Sequence, residues 1–395
     1  MVEPTKTSNH QEKETQGRAS QRRPIRVLIV AGNLAKGGAE KQIYLLADSL
    51  LKNGNSVCVV CLTRGEYYQR KIENAGIAVQ WVGQSPSILA RCLEIFRIAR
   101  KFQPDVIYSG HFYCNLYAAI TGRLVARLSI GSLRNDGVHE VQRNGKWGAA
   151  LLQAADAVFA NSQQACWNAI DLGRKPETLF YFPNAIDVAE MAEVDVPENL
   201  PDDQRVSFLF LGRLISQKRT DLFIDALADL VAAGMDCLGI IAGDGEERSK
   251  LQQQAHARGL DEANIIFMGA VEESADLLLR TDALALCSDF EGFPNVILEA
   301  MAAGIPVIAT RVGAVGELIR DSWNGILINP GSVDELKQAM KKMAASQSLR
   351  RSMGMNGRQI VIREFNAQGQ SAKFLKLVGM AARQKNKKAL FRLID

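Results

Sequence analysis

Ile25-Arg26-Val27-Leu28-Ile29-Val30-Ala31-Gly32-Asn33-Leu34-Ala35-Lys36-Gly37-Gly38 is the stretch that decides the fold. A short, nearly all-apolar run ends in a glycine-punctuated loop, and Ala39 to Leu51 then has helical spacing. Strands buried on both faces read as continuous apolar runs, and glycine supplies the turn dihedrals that end them, so this is a β-loop-α unit. The alternation continues with strands expected at Ser56 to Leu62, Ile77 to Val82, Val106 to Tyr108, Leu128 to Leu133 and Ala157 to Ala160, and with amphipathic stretches such as Ile88 to Phe102 between them. The pattern predicts an α/β domain with a parallel sheet covered on both sides, a Rossmann-like unit.

The rhythm breaks at residues 192–205, which are acidic, hold two prolines and lack periodicity, and are read as a linker. It restarts at Val206 to Leu211, Leu238 to Ala242, Ile265 to Met268, Ala283 to Cys287 and Val307 to Thr310. Two doubly wound domains, 25–191 and 206–364, are therefore expected to face each other across a cleft at the carboxyl ends of their strands, where such sheets bind ligands. Residues 1–24 are read as a polar flexible tail and 381–395 as a basic tail.

The length of 395 residues suits two domains, and 47% apolar residues suffice for two cores. The net charge of +4 resides in the two tails, which leaves a body too nearly neutral for a duplex nucleic acid partner. Seven cysteines scattered through apolar runs are read as reduced, buried thiols, and the pair Cys58/Cys61 would point to opposite faces of a strand rather than share a metal. The first 24 residues have no apolar core, so neither a signal peptide nor an anchor is read there, and no apolar run approaches the roughly 20 residues a membrane span needs.

Residues of chemical interest follow strands. The Gly32 to Gly38 loop lets backbone approach an anion at a helix N-terminus, or merely needs glycine dihedrals; it matches neither a Walker loop nor G-x-G-x-x-G. Gly212-Arg213-Leu214-Ile215-Ser216-Gln217-Lys218 sets two cations at the cleft, and Gly243-Asp244-Gly245-Glu246 forms a tight βα turn. In Ser288-Asp289-Phe290-Glu291-Gly292-Phe293-Pro294-Asn295-Val296-Ile297-Leu298-Glu299, Pro294 suits the first helical position and Gly304 ends the helix. Amides of Gly292, Phe293, Asn295 and Val296 could then hold a phosphate, with Glu299 one turn deeper accepting from ribose hydroxyls. Two carboxylates beside a diphosphate need compensating cations, and Arg213 and Lys218 supply them, each attraction being about 4 kcal/mol at contact for an effective dielectric near 20.

The Glu291/Glu299 E-x7-E pair, the Gly-Arg-Leu-x-x-Gln-Lys run, the Gly-Asp-Gly-x-x-Arg turn ending at Arg248 and the glycines 37 and 38 resemble those of the family 4 glycosyltransferases, over roughly residues 25 to 380. The resemblance implies a GT-B fold, a nucleotide-diphosphate sugar held mainly by the C-terminal domain, an acceptor held mainly by the N-terminal domain, and transfer with retention at the anomeric carbon. It implies that Arg213 and Lys218 neutralise the diphosphate, that Glu299 holds the ribose, that Glu291 lies near the donor sugar, and that His111 hydrogen-bonds that sugar. Gly37, Gly38 and Gly243 join the donor-binding set, while Arg134, Asn135 and Asp136 are acceptor-side candidates. A helix over 365–380 would cross back onto the first domain. Ala185 stands in Asn184-Ala185-Ile186-Asp187 where the family has glycine, which questions a left-handed backbone there.

The expected activity is hexosyl transfer to a hydroxyl of a glycan or lipid-linked acceptor, in polysaccharide or glycolipid synthesis, with no cofactor and no metal. The alternatives are a GT-B sugar-nucleotide epimerase or hydrolase, and a catalytically silent sugar-nucleotide-binding partner subunit. The expected setting is the cytoplasm, with peripheral contact between the basic C-terminal stretch and anionic lipid as a further expectation.

Overall fold

The computed structural model describes residues 23–189, 205–271, 274–386 and 390. The expected linker lies almost wholly outside the described residues, as does the polar tail up to residue 22. The first domain is a parallel sheet of β1 (Arg26–Ala31), β2 (Ser56–Cys61), β3 (Ala78–Trp81), β4 (Val106–Ser109), β5 (Leu128–Leu133), β6 (Ala157–Ala160) and β7 (Leu179–Tyr181), in the order β3-β2-β1-β4-β5-β6-β7. The second is a parallel sheet of β8 (Val206–Leu211), β9 (Cys237–Ala242), β10 (Ile265–Gly269), β11 (Ala283–Leu286), β12 (Val307–Thr310) and β13 (Gly325–Ile328), in the order β10-β9-β8-β11-β12-β13. These are the two Rossmann-like domains the alternation predicts.

Two-sided burial explains why the strands read as unbroken apolar runs. Val27, Ile29 and Ala31 of β1 enter one core, while Leu28 and Val30 enter another on the opposite face. Cys61 lies in the first core and Cys58 in the second, so the C-x-x-C spans the sheet instead of forming a site. All seven cysteines are unbridged; Cys166, expected buried, is only half-buried. Sequence periodicity misses β7 and β13, whose three- and four-residue runs are too short to show one.

The chain passes between domains a second time at Asn366. Helix Gln347–Ile360 runs into a wide turn, Val361–Phe365, and Phe365 packs in the second domain's core. Asn366 is extended and bridges Ile186, with the Ile186 amide donating to Phe365 O (2.9 Å) and the Ala367 amide to Ile186 O (2.9 Å). The two crossings thus support each other. Helix Gln370–Gln384 then sets Phe374 among Tyr108, Phe159 and Phe182, at ring centroid distances of 5.3, 5.6 and 5.8 Å. The crossing helix therefore starts at residue 370 rather than 365, because Phe365 is committed to the other core. It also runs into the stretch read as a basic tail: Ala381 and Ala382 are buried against the first domain.

Candidate active site

Helix Gly38–Lys52 after β1 packs on one face of the first sheet and helix Asn115–Leu124 after β4 on the other. Connections that leave adjacent strands in opposite directions open a crevice at their carboxyl ends. The second domain repeats this between β8 and β11. The segments after these four strands carry most of the residues singled out in the sequence; Arg134, Asn135 and Asp136 follow β5 and Gly243 follows β9.

The C-terminal wall is built by the loops after β8 and β11. Lys218 ends a short turn, Ser216–Lys218, and its ammonium lies 2.5 Å from Glu291 Oε1, which also accepts from Ser288 Oγ at 2.6 Å. Glu291 is 8% exposed, so this nearly desolvated carboxyl group has its hydrogen-bonding needs met by a cation and a hydroxyl from its own domain. Arg213 is exposed and makes no ion pair among the described residues. Helix Asn295–Ala303 opens toward the cleft, and its first amides have no acceptor within the helix. Pro294 is the residue before the helix, not its first residue as the sequence suggested; its ψ of 109° is extended. Gly304 ends the helix in the left-handed conformation (φ 77°). Phe293 has its ring buried against Phe365 (5.8 Å), so only its backbone can serve a ligand. Gly243 follows β9 directly, and its amide donates to Gly269 O at 2.7 Å, which commits that amide to the edge of the sheet.

The N-terminal wall centres on a dyad that the sequence reading missed. His111 Nδ1 accepts from the Gly32 amide (3.1 Å), which leaves the proton on Nε2, 3.0 Å from Glu40 Oε1. Burial pushes the Glu40 carboxyl up, but the hydrogen bonds it accepts, that from His111 foremost, outweigh it and hold the group below its usual range. Glu40 sits on the first turn of the helix opened by Gly37 and Gly38, two residues past the glycine pair. That position was the available signal.

The walls meet directly. Lys41 Nζ reaches Glu299 Oε1 at 2.9 Å, and Ser274 Oγ donates to Glu299 Oε2 at 3.0 Å. Asn295 Nδ2 donates to Gly38 O (3.1 Å), and its Oδ1 accepts from Asn184 Nδ2 (2.8 Å) and Gln42 Nε2 (3.4 Å). A Cβ on Gly38 would fall 2.8 Å from Asn295 Nδ2, and one on Gly292 would fall 2.7 Å from Asn135 Cα and 2.9 Å from Arg134 O. Glycine at these positions is what lets the two domains approach. Ala185 is not among the residues with positive φ; its amide and carbonyl are both held by the Gln42 side chain at 2.8 Å. The family's glycine is thus unnecessary here.

Arg134, Asn135 and Asp136 stand at this seam, but two of the three are already engaged. The Arg134 guanidinium bonds Tyr108 Oη and Asn184 Oδ1 (3.2 Å), and Asp136 bonds His139 Nδ1 at 2.5 Å. His139 in turn stacks on Phe290 across the cleft, with centroids 4.3 Å apart and planes at 7°. Glu140 Oε1 accepts from the Arg134 amide (3.3 Å), while its Oε2 is buried without a hydrogen-bond partner among the described residues. Burial pushes the Glu140 carboxyl up to about 7. Among the described residues no three His, Cys, Asp or Glu side chains converge as metal ligands would, and no helix is long and apolar enough to cross a membrane.

Comparison with known proteins bears on the family and the fold. Residues 36–190 match the model of Glycosyltransferase Family 4 and residues 192–360 that of Glycosyl transferases group 1. The lipopolysaccharide core biosynthesis glycosyltransferase LpsE of Rhizobium meliloti (strain 1021) is 24% identical over 350 residues, covering 87% of this chain and 96% of that protein. The 2-deoxystreptamine glucosyltransferase of Streptomyces kanamyceticus is 25% identical over 353 residues, 81% of this chain and 88% of the relative. Anabaena HepE, solved in complex with UDP, superposes with a TM-score of 0.78 at 23% identity over 90% of this chain and 99% of its own. WaaG, a glycosyltransferase involved in lipopolysaccharide biosynthesis, superposes with a TM-score of 0.65 at 17% identity over 90% of this chain and 99% of its own. With matched domains in both halves and the GT-B architecture throughout, the chain belongs to the family 4, group 1 glycosyltransferases and is itself a glycosyltransferase.

Proposed function

We propose that the protein transfers a hexose, with retention at the anomeric carbon, from a nucleoside-diphosphate sugar to a hydroxyl of a glycan or lipid-linked acceptor in lipopolysaccharide or related polysaccharide assembly. The observation that carries the reading is the convergence, at three switch-point loops, of the Lys218–Glu291 pair, the open N-terminus of helix Asn295–Ala303 and the Gly37–Gly38 backbone. Breaking the bond between sugar and diphosphate concentrates negative charge on the leaving phosphate, and prearranged cations and amides lower the barrier there. Arg213, Lys218 and the amides of Asn295 and Val296 take that task, with no metal required. Glu299 receives the ribose hydroxyls, and the His111–Glu40 dyad faces the sugar and acceptor. In front-face displacement the acceptor oxygen bonds to the anomeric carbon as the carbon–phosphate oxygen bond breaks on the same face, and the acceptor proton passes to the leaving phosphate.

The names of the relatives support this choice of substrates: LpsE acts in lipopolysaccharide core biosynthesis, and HepE has been solved with UDP-glucose. A screen of UDP-, GDP- and ADP-sugars for thermal stabilisation in EDTA identifies the donor, and NMR of the transfer product reads the anomeric configuration. An inverted product removes the retaining assignment. Turnover of the donor without any acceptor beyond water marks an epimerase or hydrolase, and binding without turnover a silent partner.

Cytoplasmic residence with peripheral contact to anionic lipid belongs to the same proposal. Its support is the mixture of basic and apolar residues in 381–395, most of which lie outside the described residues. Because Ala381, Ala382 and Leu390 are core residues, the test by liposome sedimentation replaces Lys387, Lys388 and Arg392 with serine instead of truncating the chain, and equal binding removes the hypothesis.

A further inference from the structure

We propose that Lys41 is a donor-binding residue that exchanges partners: it releases Glu299 to the ribose of a nucleoside-diphosphate sugar and moves to the diphosphate. The inference rests on the reading of the cleft as the donor site. Lys41 stands on the first turn of helix Gly38–Lys52, its amide donating to Gly37 O at 3.0 Å, and its ammonium crosses the cleft to Glu299. The two side chains are 16% and 13% exposed, so the pair is largely withdrawn from water. Gly37, Lys41, Val296 and Glu299 line one pocket of about 340 Å³.

Both oxygens of Glu299 are engaged, Oε1 by Lys41 and Oε2 by Ser274. With an ammonium already neutralising it, this carboxylate is a weaker acceptor for vicinal hydroxyls than it becomes once the ammonium lets go, and a hydroxyl replaces an ammonium at a cost unless the ammonium finds another anion nearby. The diphosphate provides one. The Asn295–Gly38 hydrogen bond brings the openings of two helices together, so Lys41, one turn inside the first, faces the same space as the amides of Asn295 and Val296. A lysine suits the exchange, since a point charge on a flexible four-carbon stem moves between carboxylate and phosphate without a fixed fork geometry. Each glutamate of the E-x7-E pair thereby holds a lysine, Glu291 holding Lys218 from its own domain and Glu299 holding Lys41 from the other.

The test separates ribose from phosphate. Uridine and UDP are titrated into wild type, Lys41→Met and Lys41→Gln in EDTA, with GDP/guanosine and ADP/adenosine as parallel pairs. Removing the ammonium frees Glu299 for the ribose and deprives the diphosphate of a cation. Both variants are expected to bind the nucleoside about threefold or more tightly and the nucleoside diphosphate about tenfold more weakly than wild type, a tenfold change corresponding to about 1.4 kcal/mol. Ser274→Ala, which loosens Glu299 without touching the charge, is expected to weaken both ligands in parallel. If wild type binds a diphosphate but both Lys41 variants change the two ligands by the same factor, or not at all, the exchange is wrong while the donor site stands. If wild type binds none of the three diphosphates, the donor reading and the exchange fall together.

Discussion

The two walls of the cleft are built differently. On the C-terminal wall, Glu291, Asn295, Val296 and Glu299 come from one loop and the helix it feeds, and Lys218 joins them from the neighbouring strand's loop. On the N-terminal wall the working contacts join distant segments: His111 with Glu40, Arg134 with Asn184, and Gln42 with Ala185. A site on one helix N-terminus can be laid down by local sequence, whereas a site made of tertiary pairs depends on the sheet order bringing β1 beside β4. The C-terminal wall is therefore compact, and the N-terminal wall is assembled.

Substitutions on the two walls should behave accordingly. The largest effect is expected for Lys218→Ala, which under the proposed function strips the leaving phosphate of a cation, and which leaves Glu291 nearly buried without a charge partner. Its kcat should fall about 10²- to 10³-fold, with a much smaller change in donor Kd, because the charge matters most as the leaving group develops. A parallel loss in Kd would place Lys218 in ground-state binding instead.

Gly292→Ala comes next. The added methyl meets backbone of the other domain below 3.0 Å, which only domain separation relieves. Transfer should fall about tenfold, with an unchanged Tm for the separate domains. Small-angle scattering should show a larger radius of gyration, and an unchanged radius would mean the seam yields locally. On the N-terminal wall, Glu40→Gln keeps shape and removes the charge that faces His111 Nε2. A three- to tenfold loss in kcat/KM is expected, of order 1 kcal/mol. Full activity would reduce the dyad to packing.

The smallest expected effect is on stability. Glu140 binds its proton more tightly in the folded chain than in the unfolded one, because burial lifts it to about 7. Its contribution is full below the ordinary carboxyl range and is lost as pH rises through about 7. Glu140→Gln has no such titration. The fall in Tm between pH 5 and pH 8 should be smaller in the variant, by about 1–3 °C. Equal falls would show that water or relaxation solvates the carboxylate.

The same contrast governs what could be read from the chain alone. Alternating apolar runs and glycine loops expose two Rossmann-like sheets because a strand buried on both faces has a local signature, as at Val27 to Ala31. Glu291 and Glu299 are visible because spacing and punctuation lie within a dozen residues. Lys41 and Ser274 are not, since a lysine on an ordinary helix turn or a serine ahead of a helix looks the same whether it faces solvent or another domain. Arg134 shows the converse: it looks available in the sequence, yet the structure commits its guanidinium to Tyr108 and Asn184. The start of the last helix is hidden for a similar reason, as Phe365 and Phe374 are both apolar and only tertiary packing assigns them to different cores.

Amide hydrogen exchange with and without a nucleoside-diphosphate sugar, in EDTA, tests the central claim most directly. The account predicts protection concentrated in Gly37 to Lys41, Gly212 to Lys218 and Gly292 to Glu299. Protection centred instead on the larger surface groove lined by Asp321, Leu327, Gln338 and Met353, or none until manganese is added, would contradict it.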